Sequence, residues 1–187
     1  DININAPLSA NGGDLDFRAG NRLTLAAVAS LDTAGYIDIK TDNVLLNGTI
    51  GTATSRPNVS FTPFSAGRAM SIASVKETGE LSLSPLELNR ITGYGINIGS
   101  SADSGDITVS ADYTAAADKT PNLVLETSGS ISVEGIIDLS THHEKSHAVL
   151  GRYASSTAGI EVSVTSALKS ASIVARSDKL VLHGELA

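Results

Sequence analysis

Short runs of alternating apolar and small polar residues recur along the whole chain. Between Glu80 and Tyr113 they are Leu81-Ser82-Leu83, Ile96-Asn97-Ile98 and Ile107-Thr108-Val109. Each run sets two apolar side chains on one face and a polar one on the other, which predicts a half-buried strand. Ser84-Pro85-Leu86-Glu87 is a helix-start signal between the first two runs: a Ser cap, Pro at the first helical position and Glu three residues after the cap. Leu88, Asn89 and Arg90 complete about one helical turn before Gly93 and Gly95 break it. A polar turn from Gly99 to Asp106 separates the last two runs. The unit therefore reads strand, capped turn, strand, turn, strand.

Comparable runs reach both ends. Ile2-Asn3-Ile4, Leu15-Asp16-Phe17, Leu23-Thr24-Leu25, Tyr36 to Ile39 and Val44 to Leu46 precede the Asn47-Gly48 turn. Residues 51 to 65 read as an irregular excursion. Repetition resumes with Ala69 to Ile72, the central unit, Leu123 to Leu125, Ile131 to Val133 and Ile136 to Leu139. A polar insertion near 140–147 follows, then Ala148 to Leu150, Ile160 to Val164, Ala171 to Val174 and Leu180 to Leu182. No linker divides the chain, so residues 1–187 read as one segment.

Three such strands with their turns need roughly 20–25 residues, within the range of solenoid repeats. The prediction is an all-β, right-handed parallel β-helix of about eight coils, each burying its aliphatic face only by stacking on the next. The alternative is an antiparallel β-sandwich. Its strands are usually about 5–6 residues, longer than most of these runs. Composition agrees with a narrow layered core: there is no Trp, with 3 Phe and 4 Tyr, so Leu, Ile, Val and Ala carry the apolar content.

The net charge of −7 argues against a nucleic-acid partner, which calls for a basic patch. The absence of Cys removes disulfides and thiolate metal sites. No apolar run approaches the ~20 residues of a membrane span. The chain starts at Asp1 without Met or a signal peptide, which is the expectation for a processed form or a segment of a longer chain.

The run from Leu81 to Thr92, Ile96-Asn97-Ile98-Gly99 and Gly105 to Val109 resemble repeats of filamentous-haemagglutinin-like bacterial exoproteins, exported by two-partner secretion or as autotransporters. Phe64 to Ile72 and Gly129 to Ser140 are similar to other coils of that family. The Asn-Pro-Asn motifs of the family's secretion domain are absent; Arg56-Pro57-Asn58 and Thr120-Pro121-Asn122 are partial echoes. The resemblance implies a piece of the repetitive shaft, extracellular or attached to the bacterial outer membrane and acting in cell adhesion. Its implied partners are adjacent coils of the same or a neighbouring chain, stacked end to end, and a host-cell or surface receptor, glycan or protein. It implies no enzyme activity.

The sharpest chemical motif is His143-Glu144-Lys145-Ser146-His147, an H-E-x-x-H pattern. On a helix, His143 and His147 would bind zinc from one face and Glu144 would activate water. The motif lies between strand patterns, Lys145 adds positive charge, and no third His follows, whereas catalytic zinc needs three protein ligands. A solvated loop without metal is the expectation, a zinc metallopeptidase the distant third reading. Asp103, Asp106, Asp112 and Asp118 invite calcium, but turn Asp residues usually bond backbone. A β-helix lyase or hydrolase acting on polysaccharide is the alternative function, with Asp38 and Asp42, or Asp138 and Glu134, as candidate carboxylate pairs. No nucleophile elbow, phosphate loop or dinucleotide fingerprint appears, so no cofactor is expected.

Overall fold

A computed structural model describes residues 1–102, 104–151, 161–177 and 179–187. The alternating runs are strands, arranged in sheets of eight, six, four and three. The largest sheet is formed, in order, by Ile2–Ile4, Leu15–Leu25, Tyr36–Leu46, Asn58–Thr62, Gly95–Gly99, Asn122–Glu126, His147–Gly151 and Ser172–Arg176. Among the described residues every pairing between strands is parallel. The antiparallel sandwich does not accommodate that pattern.

Parallel neighbours need a crossover between them. Here the crossover is made of further strands. After Asn122–Glu126 the chain enters the six-stranded sheet as Ile131–Val133 and the four-stranded sheet as Ile137–Asp138. It then returns as His147–Gly151. Asn122 pairs with His147 and His147 with Ser172, a return every 25 residues, while Ile2 pairs with Leu23 after 21.

Identical pleats in neighbouring strands put like residues in ladders. Ile37, Val59, Ile96, Leu123 and Ala148 form one inward row. Ile39, Phe61, Ile98, Leu125 and Leu150 form the next, and all ten are at most 2% exposed. Tyr113, Ile137 and Leu168 form another buried row in the four-stranded sheet. Each fully buried aliphatic side chain contributes about 1.5–3 kcal/mol. Phe61 and Tyr113 are the bulkiest fully buried groups, and burial pushes the Tyr113 phenol well above its ordinary range. Gly99 and Gly151 end their strands at φ +95° and +119°, where a side chain would run into the carbonyls of Glu126 and Arg176 on the next strand.

Several local expectations change. Leu15-Asp16-Phe17 and Leu23-Thr24-Leu25 belong to one 11-residue strand, with a register irregularity between Ala19 and Arg22. The irregular stretch of 51–65 is interrupted by Asn58–Thr62, a regular strand of the largest sheet, and resumes after it. Leu81–Leu83 does not open the next repeat. It pairs back onto Arg68–Ile72 and ends the six-stranded sheet. The real interruption is 73–94, which stretches the interval from Asn58 to its partner Gly95 to 37 residues.

The helical turn Pro85–Leu88 locks this insertion in place. Its capping box is complete: Glu87 N donates to Ser84 Oγ at 3.3 Å, and Ser84 N to Glu87 Oε2 at 2.8 Å. Glu87 Oε1 also accepts from Leu46 N at 2.9 Å. The Lys76 ammonium reaches Glu87 at 2.6 Å, the Val44 carbonyl at 2.9 Å and the Ser82 carbonyl, one acceptor for each of its three protons. Burial pulls the Lys76 pKa down, and Glu87 opposes that only in part.

Candidate functional site

The outward rows of the eight-stranded sheet hold a surface cavity. One row runs Tyr36, Asn58, Gly95, Asn122; the next runs Asp38, Ser60, Asn97, Val124. Ser60 and Gly95 are the smallest members and lie on adjacent strands, so the surface sinks between Tyr36 with Asp38 and Val124. The hollow measures about 300 Å³ and is lined by Tyr36, Asp38, Asn58, Ser60, Gly95 and Asn97, with Val124 at its far end. Asn97 Oδ1 is shielded from solvent and has no hydrogen-bond partner. The Tyr36 ring is 56% exposed at the rim.

One end of this cleft is acidic. Asp16 pairs in register with Asp38 on the adjoining strand, about 4.8 Å away along the stack. Arg18 is committed to Asp16, with Nη2 to Oδ2 at 2.9 Å. Desolvation, then the charges of Asp16 and Asp14, raise the Asp38 pKa, and Arg18 offsets little of this.

The zinc motif does not form a site with two His on one helix face. Ser140–Lys145 is a 3-10 turn, the chain extends at Ser146 (φ −90°, ψ 140°), and His147 is an exposed residue of a strand. The side chains of His143, Glu144 and Lys145 lie outside the described residues. Among the described residues no three His, Cys, Asp or Glu side chains are grouped to hold a metal. Neighbouring His142 keeps a shielded, unpartnered Nε2, and burial, then the charge of Arg56, lowers its pKa.

The carboxylates singled out from sequence are engaged separately. Asp42 accepts from Ser65 N at 2.7 Å and from the Ser65 hydroxyl, with Arg68 3.9 Å away. Asp138 accepts from Ser140 N at 2.9 Å and lies 3.9 Å from Lys169, while Glu134 accepts from the Ser132 hydroxyl at 3.2 Å. Asp106 and Asp112 bond backbone, but not their own turns: Ser130 N and Ile136 N, one rung later, donate to them at 2.8 Å each. Asp14 does the same for Tyr36 N at 2.8 Å. Asp118 pairs with Lys119 at 3.2 Å, and Asp103 lies outside the described residues.

Other polar side chains also tie successive rungs. Asn89 donates to the Thr114 carbonyl and accepts from Ala116 N, both at 3.0 Å. Arg56, at φ +42°, donates to the carbonyls of Gly93 and Lys119 at 3.0 Å each, with its guanidinium 5.7 Å from the centre of the Tyr94 ring. Among the described residues no helix is long and apolar enough to cross a membrane. Compared with known proteins, the chain matches no family model, no curated protein and no solved structure.

Proposed function

We propose that the parallel sheets wrap as a right-handed parallel β-helix of about eight coils, and that this coil stack is a stiff shaft. The carrying observation is the eight-stranded parallel sheet with return intervals near 21–27 residues outside the one insertion. Backbone hydrogen bonds run along such a stack, and bonds such as Asp112 to Ile136 N reinforce them. Bending or stretching would break many at once, which favours a mechanical role. Eight strands at about 4.8 Å spacing span on the order of 34 Å.

In this reading the chain belongs to a filamentous-haemagglutinin-like exoprotein at the bacterial surface, where the shaft extends or displays adhesive faces. Ile2–Ile4 and Ser172–Arg176 are the outer strands of the largest sheet. Such edges accept further strands, so the stack continues through more coils or a second copy. Electron microscopy and hydrogen exchange test this. Rods with the edge strands protected are expected; discrete particles with unprotected edges that cleave polysaccharide would replace the shaft with an enzyme.

A further inference from the structure

We propose that the cleft over Ser60 and Gly95 binds a saccharide bearing a free amino group. This rests on the sheet register and stands apart from the shaft reading. The cleft has distinct ends. Asp38 supplies negative charge at one end, beside the exposed ring of Tyr36, while the charge of its neighbour Asp16 is held by Arg18. Lys40 lies two residues further along the same strand, and it forms no ion pair with Asp38 among the described residues. An ammonium placed there gains the carboxylate and the ring face together.

The middle is neutral and polar. Asn58, Ser60 and Asn97 present amide and hydroxyl groups that both donate and accept, the pairing that vicinal hydroxyls require. Val124 closes the far end with an apolar wall suited to ring C–H groups. From the strand of Tyr36 to that of Val124 is three rungs, on the order of 14 Å. That length suits one or two sugar residues. An anionic sugar would meet the Asp38 carboxylate and be repelled.

The test is titration of the intact chain, followed by NMR, with glucosamine, N-acetylglucosamine, glucose and 1,5-diaminopentane. The pH is set so that the amine is protonated and Asp38 ionised. Glucosamine is expected to shift resonances of Asn58, Ser60 and Asn97, binding about tenfold more tightly than the other three probes. Asp38→Asn should remove that tenfold advantage and leave the uncharged sugars unchanged. Gly95→Val should abolish binding of all sugars, because it fills the cleft floor where an added Cβ sits 3.3 Å from the Asn58 side-chain oxygen. Thr108→Ser, on another sheet, should change nothing, and circular dichroism checks that each variant is folded. No shift with glucosamine, equal affinity for N-acetylglucosamine or glucose, or equal affinity for the diamine would each overturn the proposal.

Discussion

Replacing Ile98 with Asp is the most direct probe of the inward rows. Ile98 is fully buried between Phe61 and Leu125 of the adjoining strands. Removing its apolar side chain forfeits about 2–3 kcal/mol of burial. The new carboxyl has no partner in that row, so it either ionises in an apolar setting or takes up a proton, adding at least about 2 kcal/mol at neutral pH. The total, about 4–6 kcal/mol, is comparable with the entire stability of many domains. Thr108→Ser is the contrast: Thr108 is half-buried on an outward row, and the change should stay within about 0.5 kcal/mol. Urea unfolding followed by circular dichroism measures both. A buried Asp has a raised folded-state pKa, so its deficit should shrink as pH falls toward the ordinary carboxylate range and grow above it. If Ile98→Asp and Thr108→Ser proved equally mild, or the Asp deficit did not depend on pH, the inward assignment would fail.

Three further outcomes follow from groups already placed. Asp42 is net depressed in pKa: burial pushes it up, but the two Ser65 bonds and Arg68 outweigh that. Asp42→Asn should therefore cost about 1 kcal/mol at neutral pH, a deficit that vanishes as pH falls through the depressed folded value, read from paired urea titrations. Lys76 is depressed too, but by burial that disfavours its charged form. Its folded pKa is below the unfolded one, so the folded state binds fewer protons in that window and the native chain should gain stability relative to Lys76→Met as pH rises toward the ordinary lysine value. A flat difference across alkaline pH would refute that. His143→Ala and Glu144→Ala should leave thermal stability and metal content unchanged; stoichiometric zinc lost with His143→Ala, together with peptide hydrolysis, would restore the metallopeptidase reading.

Strand positions were legible because the inward positions are strongly apolar and the pleat has period 2. Register was not. Leu81-Ser82-Leu83 has the same pattern as Ile96-Asn97-Ile98, yet one run ends the six-stranded sheet and the other is a rung of the largest sheet. Nothing local distinguishes them; the difference lies in Lys76 and Glu87, which hold the insertion against Val44, Leu46 and Ser82. Val59-Ser60-Phe61 did carry the strand signal, but it was masked by the turn residues Ser55 to Asn58 beside it. Asp106 and Asp112 bond backbone, but not that of their own turns as expected: their donors sit one rung on, some 24 residues away in sequence. The cleft escaped notice for the same reason, because Ser60 and Gly95 become neighbours only through register.

The outward rows have a freedom that the inward rows lack. Facing the core, Ile39, Phe61, Ile98, Leu125 and Leu150 must each fill a layer, and a polar residue at any of them would lie buried without a partner. The parallel outward row reads Asp16, Asp38, Ser60, Asn97, then Val124, Val149 and Val174. It passes from acidic through neutral polar to apolar within one sheet, without altering the backbone ladder beneath it. A substitution there changes what the surface presents while the stacking stays intact. In the proposed reading stiffness and recognition are thereby separated: inward rows and inter-rung bonds would set the first, and short stretches of outward row the second. A recognition site on such a scaffold should thus be sought where outward side chains become small in register, as at Ser60 and Gly95, and not in a sequence motif alone, such as His143 to His147, where a 3-10 turn gives way to a strand.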